Sequence, residues 1–128
     1  MCHYVTSEVK TAPYDMVYYK VVEKSNDGRM FTPYQNMLIE YNVNYTLNTN
    51  IDDFGFDKND MLENGWFHLF ADKNEVDYFL SLRDKCYHWF VIKAIIPKGT
   101  KFYLGYFRTL DGCFDSIATK SVIYKPLD

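Results

Sequence analysis

Two histidines stand in strand-like aromatic runs, His68 in Phe67-His68-Leu69 and His88 in Tyr87-His88-Trp89. A pair of facing imidazoles can bind a metal ion or pass protons. A metal site needs more ligands than two, and no Cys/His spacing in this chain offers four tetrahedral donors. Two-histidine hydrolases carry a hydroxyl two residues after each histidine, whereas those positions here are Phe70 and Phe90. The reading with the least chemistry is two separate histidines, each hydrogen-bonded to a main-chain or tyrosine partner. Cys86 lies two residues from His88, so on one strand both side chains face the same way and a thiolate-imidazole pair is within reach. Against it stands the ordinary use of a free cysteine as a small buried hydrophobe.

Trp66, Trp89, Tyr103 and Tyr106 offer a different chemistry, because aromatic rings can stack a base or anchor a partner with few rotamers to freeze. Core packing is the competing use of the same rings. Asp57-Lys58-Asn59-Asp60 lies in an acidic stretch but lacks the Asp-x-Asp-x-Asp-Gly order of a calcium loop. No cofactor and no metal is expected from these patterns.

The elements that must position these residues are mostly strands. Met16-Val17-Tyr18-Tyr19-Lys20-Val21-Val22 is rich in β-formers and runs into Ser25-Asn26-Asp27-Gly28, where Asp-Gly signals a hairpin. Residues 29–32 return, stopped by Pro33. Residues 37–47 alternate, with Ile39, Tyr41, Val43, Tyr45 and Leu47 on one face, which predicts a single half-buried strand. Residues 48–64 read as an acidic loop, with a helical turn at 59–62 as an option. Gly65 to Asp72 reads as a strand entering a helix. Of its two faces, Phe67 and Leu69 are assigned to the core, and Trp66 and His68 to the most substantial concavity.

Asp72 as N-cap with Glu75 three residues on has capping-box spacing, and Val76, Phe79, Leu80 and Arg83 recur at helical period, so a helix is expected over 72–84. Residues 87–96 predict a central strand covered on both faces, 97–100 a turn, 101–107 its antiparallel partner, Asp111-Gly112 a second turn and 121–124 the last strand. The expected architecture is α+β, an antiparallel or mixed sheet of about six strands with one principal helix packed on it.

At 128 residues the chain fits one domain, with residues 1–13 expected as a poorly ordered arm. The aromatic fraction of 19 % leans toward sheet. A net charge of −3 and a pI near 5.5 argue against a general electrostatic grip on nucleic acid. The three cysteines, Cys2, Cys86 and Cys113, are an odd number without CxxC spacing, which fits reduced thiols in a cytoplasmic setting. No apolar run approaches the ~20 residues of a membrane span.

The Tyr-Lys-Val-Val strand with Asp-Gly behind it, the Gly-aromatic-His-aromatic segment, Ile-Pro-Lys-Gly-Thr and the closing Ile-Ala-Thr-Lys-Ser-Val-Ile together resemble small uncharacterised domains of phages and gut bacteria, from about Tyr18 to Tyr124. That resemblance supplies a family without an activity, and implies only a phage-encoded inhibitor that sequesters a host protein or nucleotide signal. The expected function is a small non-enzymatic binding or interaction module, phage-encoded or carried on a mobile element, acting on a host partner or a nucleotide-like ligand.

A fainter likeness runs to the ADP-ribosyltransferase fold. It places that family's three motifs at Tyr19 or Lys20, at 67–70 and at 116–120, with Asp115 the nearest carboxylate to the last. Lys20 is not the expected His or Arg, His68 stands where a hydroxyl or Tyr is usual, and 116–120 holds no acid. The alternative that follows is a nucleotide-handling transferase using Lys20, His68 and Asp115. The binding candidates are therefore Lys20, Trp66, His68, His88 and Asp115.

Overall fold

The computed structural model describes residues 3–33, 37–47, 61–62, 66–82, 88–110 and 112–127. Along them run β1 (His3–Val5), β2 (Lys10–Thr11), β3 (Met16–Lys24), β4 (Met30–Phe31), β5 (Leu38–Ile39), β6 (Asn44–Thr46), β7 (Met61–Leu62), β8 (Phe67–Phe70), α1 (Lys73–Ser81), β9 (Trp89–Ile96), β10 (Lys101–Thr109), β11 (Gly112–Thr119) and β12 (Ser121–Lys125). The strands form one sheet in the order β6-β12-β9-β3-β8-β11-β10-β1-β7, with β2 added to β10, β4 to β3 and β5 to β4.

Chain connectivity makes this sheet roll up. β11 pairs with β10 and β8. After the single residue Lys120 the same segment continues as β12, which pairs with β9 and β6. Because β9, β3 and β8 lie between β12 and β11 in the sheet order, one continuous segment bounds both sides of that run. A flat sheet cannot meet that condition; a roll can.

The inner face packs Val22, Leu69, Ile92, Ala94, Ile96, Ile117, Val122 and Tyr124 around one another. The outer face needs a cover, and α1 supplies it. Asp72 caps the helix by accepting from the main-chain N–H of Asn74 at 2.7 Å and of Glu75 at 3.3 Å. Val76 and Phe79 then bury against Val21, Phe70, Phe107 and Phe114, with the Phe79 and Phe70 rings 5.1 Å apart. The second half of the capping box is not made, since Glu75 reaches instead toward the main-chain N–H of Asp115, at a long 3.5 Å. Leu82 is the C-cap. Arg83 and Asp84, expected in the last turn, lie outside the described residues.

The expected α+β class with about six strands is corrected by this structure. The described residues are mostly β, twelve strands in one sheet with a single nine-residue helix. Four of the strands are two residues long, too short to show any period. β11 has no clean alternation because Ser116, Ile117, Ala118 and Thr119 are all buried, inside the roll or under the outer cover.

The single strand expected over 37–47 also breaks. Asn42 adopts a left-handed φ of 63°, a conformation asparagine tolerates, and two contacts to the β12 segment hold it there. Its N–H donates to the Tyr124 carbonyl at 3.0 Å and its Oδ1 accepts from Lys125 Nζ at 3.0 Å. Ile39 is buried while Val43 is exposed, so the alternating apolar set does not share a face. Residues 3–13, read as an arm, carry β1 and β2, both paired with β10. The Asp-Gly hairpin is present, with Gly28 at φ 88° and Ser25 N–H donating to the Arg29 carbonyl at 2.9 Å.

Candidate ligand site at the mouth of the roll

Two of the five candidate residues meet. β3 and β8 share one register pair, Tyr19 opposite Phe70. At this seam Lys20 Nζ donates to the His68 carbonyl at 2.8 Å. Both residues line a crevice of about 20 Å³ with Phe70, Phe79, Trp89 and Pro33, room for one water-sized occupant. Burial among these walls pulls the Lys20 amine down from 10.5 to about 8. The link uses the main-chain oxygen of His68, so Lys20 works as a structural clasp across a short seam.

The other three candidates lie elsewhere. Trp66, expected in the main concavity, is only 5 % exposed. Its ring packs on Tyr103 at 5.0 Å, and Lys120 Nζ sits 4.5 Å from its centre. His88 is exposed ahead of β9, where its carbonyl accepts from the Lys24 N–H at 3.1 Å. Asp115 is exposed on β11 opposite Tyr106, and its carbonyl accepts from the Ala71 N–H at 3.1 Å. On β8 the core assignment of Phe67 and Leu69 agrees with the structure, with Phe67 packed against the inner core, but Trp66 and His68 do not line the wide mouth at the end of the roll. Leu69 is inner core, whereas Trp66 and Phe70 fill the outer layers. Cys113 is an exposed free thiol, and Cys86 and the acidic stretch 51–60 lie outside the described residues. Among the described residues no group of three or more His, Cys, Asp or Glu is placed to hold a metal ion. None of their helices is long and apolar enough to cross a membrane.

Among the described residues a wider concavity lies elsewhere, at the end of the roll where β3 runs out and β9 begins. It has a volume of about 470 Å³. Its floor is an extension of the inner core: Ile39 belongs to that core, and Met30, Tyr41 and Phe90 pack against it. The hairpin places these residues. Val22 stands opposite Phe90, Lys24 opposite Met30, and Met30 opposite Ile39. Lys24 therefore occupies the same side of β3 as Val22, one step beyond the last inward apolar residue. It is the point where the aliphatic lining gives way to a cation.

Charge is distributed unevenly around this mouth. Arg29 Nε donates to Asp27 Oδ2 at 2.7 Å, and its guanidinium lies 5.4 Å from the Phe31 ring centre. Ser25 Oγ donates to Asp27 Oδ1, and this bond, with the main-chain N–H of Arg29, holds the Asp27 carboxyl below its usual range. Arg29 is thus committed to its own turn. Lys24 and Glu40, both exposed, form no ion pair among the described residues.

None of these residues was singled out by sequence reasoning. The usable signal was the charge at an inward-parity position of β3, Met16, Tyr18, Lys20, Val22, Lys24, at the end of an apolar strand. An apolar floor with a few charged groups on the rim suits a small organic molecule, and the volume lies within the roughly 300–1,000 Å³ typical of such sites. No family model, curated protein or solved structure matches the chain, so function is argued from this geometry.

Proposed function

We propose that this protein is a non-catalytic binding domain for a small molecule, with the mouth of the rolled sheet as its site. One observation carries the reading. Among the described residues, the inner core opens between β3, β5 and β9 into about 470 Å³ floored by Met30, Ile39 and Phe90. Barrel mouths are a recurrent location for such ligands.

The test is fluorescence titration with the neutral probe N-phenyl-1-naphthylamine, on the wild type and two variants that fill the mouth. Met30→Trp places an indole on the floor. Leu38→Trp does so from the rim, where Leu38 is 46 % exposed and the fold is not at risk. Saturable binding lost in both variants supports the site. Undiminished binding in the variants, or none in the wild type, removes it.

A further inference from the structure

We infer that the mouth selects a small molecule made of an apolar body carrying a single negative charge, with Lys24 as the residue that reads the charge. This deepens the proposed function and rests on it. The first ground is position. Lys24, Met30 and Ile39 form one cross-strand row, and Val22 and Phe90 form the row beneath it. An apolar body lying on Met30, Ile39 and Phe90 therefore has the Lys24 stem at its edge, where the ammonium can reach an anionic substituent.

The second ground is electrostatic. The β3 backbone at Lys24 is fixed, because its N–H donates to the His88 carbonyl at 3.1 Å and it is paired in register with Met30. Met30, its partner on β4, and Ile39 beyond Met30 on the same row are apolar, and among the described residues no carboxylate lies within ion-pair distance of Lys24. Arg29, the other cation of the rim, is held by Asp27 and lies over Phe31. The rim thus offers one uncommitted cation among the described residues.

The third ground limits the charge of the ligand. Glu40 also lines the mouth and brings a carboxylate to it. A second negative charge on the ligand would meet that carboxylate, so a carboxylate, sulfonate or phosphodiester fits and a phosphate monoester, near −2 at neutral pH, is disfavoured. The class is an amphipathic monoanion.

The experiment compares two probes of the same body, N-phenyl-1-naphthylamine, which is neutral, and 8-anilinonaphthalene-1-sulfonate, which bears one sulfonate. Each is titrated at constant ionic strength into wild type, Lys24→Gln and Glu40→Gln. The substituted side chains are exposed, and matching thermal melts establish that the three proteins are equally folded. Loss of one charge-assisted contact predicts that Lys24→Gln weakens the sulfonate probe by about tenfold or more while the neutral probe changes by less than about twofold. Glu40→Gln is expected to tighten the sulfonate probe alone. If Lys24→Gln weakens both probes alike, or neither, the charge assignment is overturned while the mouth stands as a binding site. If neither probe binds the wild type, both readings fall.

Discussion

Replacing Lys20 with methionine should change stability by an amount that depends on pH, and the dependence follows from where the amine sits. Two opposing effects accompany the substitution. The His68 carbonyl loses its donor at 2.8 Å, which costs about 1–3 kcal/mol at any pH. The buried ammonium is also removed, and that burden is present only where the amine is protonated.

In the folded chain the Lys20 pKa falls from 10.5 to about 8 because burial disfavours the charged form. Between about pH 8 and 10.5 the unfolded chain holds the proton that the folded chain has released, so the Lys20 contribution to stability rises with pH across that window. Below pH 8 the penalty is present in full, about 3 kcal/mol at 1.36 kcal/mol per unit, and most of it is gone by pH 10. Lys20→Met should therefore be nearly neutral at pH 7 and clearly destabilising at pH 10, a change of about 2 kcal/mol between them. Tyr18 and Tyr124 titrate with the opposite sign. Burial raises both phenols, so stability is lost as the unfolded tyrosines ionise above about pH 10. That loss is common to both proteins and cancels in the difference. Urea unfolding of the pair at pH 7, 8, 9 and 10 reads it directly. Parallel stability curves would refute the claim that Lys20 enters the folded protein as a buried ammonium.

Leu69→Ala should cost about 2–5 kcal/mol in urea unfolding, because Leu69 is 1 % exposed inside the roll. A loss under 1 kcal/mol would place it outside the core. Phe70→Ala, which removes the ring contacted by Phe79 and Phe107 at 5.1 and 5.0 Å, should cost about 3–5 kcal/mol and reduce helical circular dichroism as α1 loses its seat. Glu75→Gln should stabilise the fold at neutral pH, with the gain shrinking as pH falls into the carboxylate range, read by thermal melts at the two pH values. Desolvation, then the neighbouring Asp115, raises this carboxyl, so its ionisation at neutral pH opposes folding. Asp72→Ala should cost about 1 kcal/mol of helix stability, measured by thermal melting, through loss of the two capping bonds.

What could be read from residues in order was local. Asp-Gly at 27–28 makes its hairpin, Asp72 caps its helix, and Trp89 to Ile96 forms the central strand that its β-branched and aromatic content demands. What could not be read depends on partners remote in sequence. Asn42 breaks the alternating run because Tyr124 and Lys125 are there to hold the bend, more than eighty positions away. β4 and β5 are two-residue strands, and they form because the end of β3 gives β4 an edge and β4 in turn gives one to β5. On β8, period two separates Leu69 from Trp66 and Phe70 as read, but the second face is covered instead of open to a cleft because Val5, Tyr103, Phe107 and Phe114 come to it from distant strands. Among the candidate residues, His68 drew attention as a chemically versatile side chain, yet Lys20 takes its main-chain oxygen. The mouth was hidden because Lys24, Met30, Ile39 and Phe90 come from four strands and form no motif.

The most direct test of the central claim is an amide chemical-shift titration of uniformly ¹⁵N-labelled protein with N-phenyl-1-naphthylamine. Binding in the mouth predicts saturable shifts concentrated at Lys24, Gly28, Met30, Ile39, Glu40 and Phe90, with residues of the Lys20–His68 crevice and the Trp66 layer unmoved. Saturable shifts centred on Lys20, His68 and Trp89, with the mouth silent, would contradict it.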